Sequence, residues 1–151
     1  MPWLWLAAAV AAVDQASKWL LIGWLGELGH AVRVTSFFNL VLVWNPGISF
    51  GMFQSGGAWR WVLSAGTAVI AAVLVLWLRR RPPALAATGI ALVLGGAVGN
   101  LIDRLLPRRA VADFFDVHLL GYHWPAFNIA DSAISVGVVL ILMESVRRRP
   151  G

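Results

Sequence analysis

Residues 111–132, VADFFDVHLLGYHWPAFNIADS, decide how the rest of the chain is interpreted. They contain three of the seven acidic residues, Asp113, Asp116 and Asp131, and they run directly into an apolar segment. Asp131 is therefore predicted at, or just inside, the boundary of a bilayer. An ionisable side chain at that depth is costly, so it is by default a candidate functional residue.

The composition is that of a membrane protein. Of the 151 residues, 60% are hydrophobic and only 13% are charged, whereas soluble domains carry about 25% charged residues. The chain is too short for a second domain, so we expect residues 1–151 to form one. It has no cysteine, which excludes disulfides, thiol nucleophiles and Cys-ligated zinc.

Four apolar segments have the roughly 20 residues that a helix needs to cross a bilayer. They cover residues 3–25, 58–78, 84–106 and 128–146, approximately. Six of the twelve basic residues form the runs 79–81 and 147–149, each at the end of such a segment. Cytoplasmic anchoring explains these runs better than nucleic-acid binding does, so we expect no nucleic-acid partner.

The arginine runs also predict the orientation. A four-span topology places both runs, and both termini, on the cytoplasmic side. The loops 26–57 and 107–127 then lie outside.

The first of these outer loops resembles β-structure. Residues 31–44 are rich in β-branched and aromatic residues and end at a turn signal, Asn45-Pro46-Gly47. Residues 48–53 suggest a returning strand. The predicted fold is therefore an all-α membrane protein with four transmembrane helices and a small extracytoplasmic β-sheet.

Two charged residues interrupt the first apolar segment. Asp14 and Lys18 are four residues apart, so they share a helix face and can pair directly. A structural ion pair and a substrate-handling role both remain open.

The third segment combines small residues with a polar cluster at its end. Gly95, Gly96 and Gly99 predict a face on which another helix packs closely. The cluster that follows consists of Asn100, Asp103 and Arg104. Its spacing of three and four residues places these side chains on a shared face, where we expect them to support a site.

Asn128 and Asp131 open the fourth segment in a capping pattern. Asn128 is predicted as the N-cap and Asp131 as the third helical residue. Capping alone does not explain why a second acidic stretch, 113–116, reaches the same face of the membrane. A metal cluster of Asp116, His118 and His123 is the weaker alternative, and we predict no metal and no cofactor.

Five motifs, in order along nearly the whole chain, resemble those of lipoprotein signal peptidase (signal peptidase II). They are Asp14-Gln15-x-x-Lys18, Asn45-x-Gly47-x-x-Phe50-Gly51, Gly99-Asn100-x-x-Asp103-Arg104, Val111-x-Asp113-Phe114 and Phe127-Asn128-x-Ala130-Asp131-Ser132.

The resemblance implies an aspartic endopeptidase of the bacterial cytoplasmic (inner) membrane. Such enzymes remove signal peptides from prolipoproteins before a diacylglyceryl-modified cysteine, and globomycin inhibits them. It implies that Asp113 and Asp131 are the catalytic pair. The predicted supporting residues are Asp14, Lys18, Asn45, Gly47, Asn100, Asp103, Arg104 and Asn128.

The expected surroundings are the prolipoprotein substrate and membrane lipids, with the protein acting as a monomer. Two other functions remain open: a small transporter or channel lined by the polar residues, and a lipoprotein-binding scaffold without activity.

Overall fold

Four long helices form most of the computed structural model, which describes residues 2–47, 58–107 and 109–147. They are α1 (Pro2–Leu28), α2 (Ala58–Arg79), α3 (Ala84–Leu105) and α4 (Ile129–Arg147). Each is long and apolar enough to cross a membrane. The helices lie within about three residues, at each end, of the four apolar segments identified in the sequence.

Helix α3 lies at the centre of the bundle. In its most apolar stretch 61% of the residues are buried, against 17% in each of the other helices. The predicted small-residue face proves to be two faces. A Cβ on Gly95 would come within 2.6 Å of the Ala7 carbonyl oxygen on α1, and one on Gly96 would collide with the Ala130 carbonyl oxygen on α4. Both neighbouring helices therefore approach α3 closely.

An antiparallel sheet of four strands accompanies the helices. Its strands, in spatial order, are β1 (Val32–Arg33), β2 (Phe38–Asn45), β3 (Val111–Leu119) and β4 (Tyr122–His123). The prediction of β-structure within 31–44 is confirmed, with a turn that divides it into β1 and β2. The predicted returning strand, 48–53, lies outside the described residues.

The sequence interpretation missed that β2 pairs with β3, inside a segment taken only as a loop. Phe38 lies opposite Val117, and Asn45 lies opposite Val111. The β-branched and aromatic residues of β3 are typical of a strand. After β3 the chain turns back through a short hairpin, and Phe127 pairs with Phe115. Asp113 therefore lies close to the beginning of α4.

Candidate active site

The N-terminus of α4 is capped as predicted. The Asp131 backbone N–H donates to Asn128 Oδ1 at 3.0 Å, and the Asn128 backbone N–H donates to Asp131 Oδ2 at 3.2 Å. This reciprocal pair is a capping box. The second carboxylate oxygen, Asp131 Oδ1, accepts a hydrogen bond from Asn100 Nδ2 at 2.8 Å. Asp131 therefore also contacts the polar cluster of α3.

Asp113 reaches the same place from β3. Its side chain is buried, and the residue is 2% exposed. Asn128 Nδ2 donates to Asp113 Oδ1 at 2.7 Å, and Asn45 Nδ2 donates to Oδ2 at 3.0 Å. A single asparagine, Asn128, thus contacts both Asp113 and Asp131.

Asp113 binds its proton more tightly than a carboxyl in water does. Burial raises the pKa of Asp113 most strongly and the negative charge of Asp131 adds to this, so that the pKa lies at about 6. The hydrogen bonds from Asn45 and Asn128 lower this pKa without outweighing burial. The Asp113 carboxyl can therefore exchange a proton near neutral pH.

Helix α1 contributes a buried lysine, Lys18, to the surroundings of Asp113 and Asp131. Lys18 Nζ lies 2.8 Å from Asp14 Oδ2 and 2.7 Å from Asp103 Oδ2, so the predicted Asp14–Lys18 pair is confirmed. Lys18 Nζ also donates to Asn100 Oδ1 at 3.0 Å. Because this fixes the Asn100 oxygen towards the lysine, the Asn100 amide nitrogen is left facing Asp131.

Three further hydrogen bonds join α1 to the site. Asp14 Oδ1 accepts a hydrogen bond from the Ala130 backbone N–H, one of the first amides of α4, at 2.9 Å. Gln15 Nε2 donates to the Gly99 carbonyl oxygen at 3.0 Å and to Asp103 Oδ1 at 2.9 Å. Gln15 is thus a supporting residue that the predicted set omits, although it stands within the first motif.

The remaining predicted residues complete the surroundings of Asp113. Asn45 Oδ1 accepts from the Gly47 backbone N–H at 2.8 Å, which forms a turn. Gly47 has φ +104, and a Cβ there would collide with the Leu63 side chain. Arg104 Nη1 donates to the Asn100 carbonyl oxygen at 3.3 Å, and its guanidinium attracts both Asp131 and Asp113 electrostatically. The structure therefore brings all ten predicted site residues into one connected region.

Asp116 belongs to a different cluster. Asn39 Nδ2 donates to Asp116 Oδ2 at 2.8 Å, and His123 Nδ1 lies 2.7 Å from Oδ1. Burial raises the pKa of Asp116, but these hydrogen bonds and the charges of His123 and His118 outweigh it and lower the pKa overall. Among the described residues, no group of three or more His, Asp or Glu side chains is arranged to hold a metal ion.

Comparison with known proteins gives a consistent result. The family model described as Signal peptidase (SPase) II matches residues 6–147. A lipoprotein signal peptidase of Paraburkholderia phytofirmans is 44% identical, over 99% of this chain and 87% of the relative. One from a Janthinobacterium species is 43% identical, over 98% of this chain and 90% of the relative.

Solved structures agree with this result. A bacterial membrane enzyme determined by the in meso method at 1.9 Å resolution superimposes with a TM-score of 0.84 and 30% identity. The match covers 98% of this chain and 94% of that one. A second structure of a bacterial membrane enzyme, at 2.3 Å, gives a TM-score of 0.82 and 31% identity.

Proposed function

This chain belongs to the signal peptidase II family, and from that premise we propose that it is an aspartic endopeptidase that removes signal peptides from prolipoproteins. The relatives are lipoprotein signal peptidases that match nearly the full chain. Cleavage before a diacylglyceryl-modified cysteine, as the motif resemblance implies, is part of the proposal. The enzyme is a multi-pass protein of the bacterial inner membrane.

One observation carries the aspartic assignment: Asn128 is hydrogen-bonded to both Asp113 and Asp131. Two carboxylates close together in a poorly solvated site do not both ionise easily, so the pair shares a proton and titrates as a unit. The raised pKa of Asp113, about 6, supports this sharing.

Because the pair shares one proton, one carboxyl can act as a base and the other as an acid during peptide hydrolysis. The ionised carboxylate takes a proton from a water molecule as the water oxygen attacks the scissile carbonyl carbon. The protonated partner donates a hydrogen bond to the carbonyl oxygen. It then protonates the leaving nitrogen as the carbon–nitrogen bond breaks, and the pair is ready for another turnover.

The supporting residues have separate roles in this proposal. Asn100 and Asn128 orient the two acids, and Asn45 holds Asp113. Lys18 keeps Asn100 in place through its contact with Asn100 Oδ1. Asp14, Asp103 and Gly99 hold α1 and α3 together, while Arg104 and the turn at Gly47 border the site where a substrate would lie.

We propose that the site opens on the outer face of the membrane. The N-terminus of α1 lies at the same end of the bundle as the α2–α3 link, since Trp3 and Arg81 line one cavity. The arginine-rich link favours the cytoplasmic side for that end. The sheet, the C-terminus of α3 and the N-terminus of α4 are at the opposite end. Because all the site residues come from one chain, we propose a monomer surrounded by lipid.

The decisive experiment measures cleavage of a diacylglyceryl-modified prolipoprotein by the purified protein in lipid, without added metal. Asp113→Asn and Asp131→Asn should each abolish turnover, and a chelator should have no effect. Asp116→Asn is the matched control, because it makes the same change on the same strand, and it should remain active.

Each rival predicts a different result. Turnover by either Asp113→Asn or Asp131→Asn would end the proposal of a catalytic pair, and loss of activity with the chelator would favour a metal site. A scaffold predicts substrate binding without cleavage by the unmutated protein. A transporter is less consistent with the structure, because Lys18 contacts both Asp14 of α1 and Asp103 of α3 directly, so these charges form one cluster rather than a path.

A further inference from the structure

Two turns that are distant in sequence lie side by side at one end of the sheet. Residues 34–37 connect β1 to β2, and Leu120-Gly121 connects β3 to β4. The His118 backbone N–H donates to the Phe37 carbonyl oxygen at 2.9 Å, and Phe38 lies opposite Val117. The two turns therefore form one continuous edge.

Large apolar side chains cover this edge and are exposed. We call them the apolar rim: Val34, Phe37, Leu119, Leu120, Tyr122 and Trp124. Leu120 is 91% exposed and Tyr122 is 85% exposed. The segment 119–128 contains no acidic residue, lysine or arginine. On the β1–β2 side of the rim, the exposed Arg33 precedes Val34.

The turn at Leu120 does not require a leucine. Leu120 has φ 51 and Gly121 has φ 84, the left-handed conformations of a two-residue hairpin turn. Glycine, asparagine and aspartate suit such positions, whereas leucine is strained there. A strained and almost fully exposed leucine is favourable only where something apolar covers it.

The bilayer lies within reach of the rim. Phe115 and Phe127 form a β-bridge, and Phe127 is two residues before the start of α4. Leu120 is the fifth residue after Phe115, and five steps along the chain span at most about 18 Å. Helix α1 ends at Leu28, four residues before β1 begins. Two apolar side chains of its last turns, Trp24 and Leu28, are exposed.

We propose that the apolar rim inserts into the boundary between headgroups and acyl chains, in the leaflet on the side where the sheet lies. The lipid belongs to the same bilayer that α1–α4 cross. Tyr122 and Trp124 suit this layer because each combines an apolar ring with a polar tip. Insertion anchors the end of β3 and so holds Asp113 at a fixed depth near the start of α4.

The test uses the absence of cysteine from the chain. Leu120→Cys and Tyr122→Cys are each labelled with a nitroxide in vesicles of phosphatidylethanolamine and phosphatidylglycerol. Collision rates with oxygen and with a water-soluble nickel chelate report the surroundings of the label. Leu20→Cys on the lipid-facing side of α1 and Arg80→Cys after α2 are the references, since both positions are exposed.

Insertion predicts a several-fold lower nickel collision rate at positions 120 and 122 than at 80, with oxygen accessibility close to that at 20. Nickel accessibility equal to that at 80 for both labels would overturn the proposal. So would dipolar broadening that disappears on dilution with unlabelled protein, because a second copy would then cover the rim. Neither residue belongs to the proposed catalytic machinery, so retained cleavage activity shows that each labelled variant is folded.

Discussion

Asp113 and Asp116 lie three residues apart on β3, and each accepts a hydrogen bond from an asparagine of β2. Both are buried. Yet the pKa of Asp113 is raised to about 6, while that of Asp116 is lowered. The two Asn–Asp contacts are alike, and each lowers the pKa of its aspartate, yet the net pKa shifts of the two carboxyls are opposite.

Burial and charge together explain the difference. Burial is the largest cause of the raised pKa of Asp113, whereas hydrogen bonds and the nearby histidines outweigh burial at Asp116. Asp113 faces the second acid, Asp131, and its direct hydrogen bonds come from neutral amides. Asp116 faces His123, with His118 stacked on it at 4.8 Å between ring centroids. A carboxyl suited to sharing a proton thus needs burial that its hydrogen bonds do not outweigh, together with a neighbouring acid, and a local Asn–Asp contact is not enough.

The largest expected effect on stability comes from the buried carboxylates that are paired with a lysine. Lys18 is buried against Asp14 and Asp103, so Lys18→Met leaves two buried carboxylates without their partner. We expect the free energy of unfolding to fall by about 3–5 kcal/mol, as measured by thermal unfolding in detergent. Adding Asp103→Asn to Lys18→Met should recover part of the lost stability. If Lys18→Met alone were as stable as the unmutated protein, Lys18 would not be a buried ion-pair partner.

The pH dependence of stability should separate Asp113 from Asp116. Native Asp113 binds its proton more tightly than the unfolded chain, whose pKa is near 3.8, so the unmutated protein loses stability as pH rises through 4 to 6. Relative to it, Asp113→Asn should gain about 3 kcal/mol between pH 4 and 7. For Asp116 the native pKa is lowered, so its contribution is present at neutral pH and lost on acidification.

The free energies of unfolding of Asp113→Asn, Asp116→Asn and the unmutated protein, measured from pH 3.5 to 8, test these trends. Relative to the unmutated protein, Asp116→Asn should be less stable at neutral pH, and the gap should narrow as pH falls. Parallel profiles for the two variants would remove the distinction between the carboxyls.

A smaller effect is expected on the pH profile of cleavage. The hydrogen bond from Asn45 lowers the pKa of Asp113, so Asn45→Ala should raise that pKa further. The alkaline decline of kcat/KM, where the shared proton is lost, should move up by as much as about one pH unit, equivalent to about 1.4 kcal/mol. The matched control is Asn39→Ala, which removes the corresponding hydrogen bond to Asp116. An equal shift of the alkaline decline in that variant would contradict the role of Asn45.

The smallest effect concerns His123, whose side chain is 55% exposed. His123→Gln removes the contact with Asp116, but water screens an exposed pair of this kind. We expect less than about 1 kcal/mol of lost stability and unchanged turnover in the cleavage assay. A marked loss of turnover would place the Asp116 cluster within the catalytic machinery.

The sequence predicts the helices well, because an apolar stretch of about 20 residues in lipid has few alternatives to a helix. It also predicts the local contacts, such as the Asn128–Asp131 cap and the Asp14–Lys18 pair, since these depend on spacings of three and four residues. The proposed roles of Asp113 and Asp131 came from the motif resemblance rather than from spacing.

The sheet shows what the sequence does not determine. Residues 111–116 of β3 are buried almost throughout, so the strand lacks the polar–apolar alternation that marks a half-buried strand. Its partner β2 lies some seventy residues earlier, and no local pattern gives that register. The contact of Gln15 with Asp103 was missed for the same reason, because 88 positions separate the two residues.

The contact between Asp14 and the Ala130 backbone N–H joins positions 116 residues apart. Helix α1 therefore holds a carboxylate whose partner amide is made only later, with α4. Asp131, one residue further on, cannot be oriented by this network until the fourth helix has entered the membrane. In terms of biogenesis, the candidate site stays incomplete until α4 has been made and has entered the membrane beside α1 and α3.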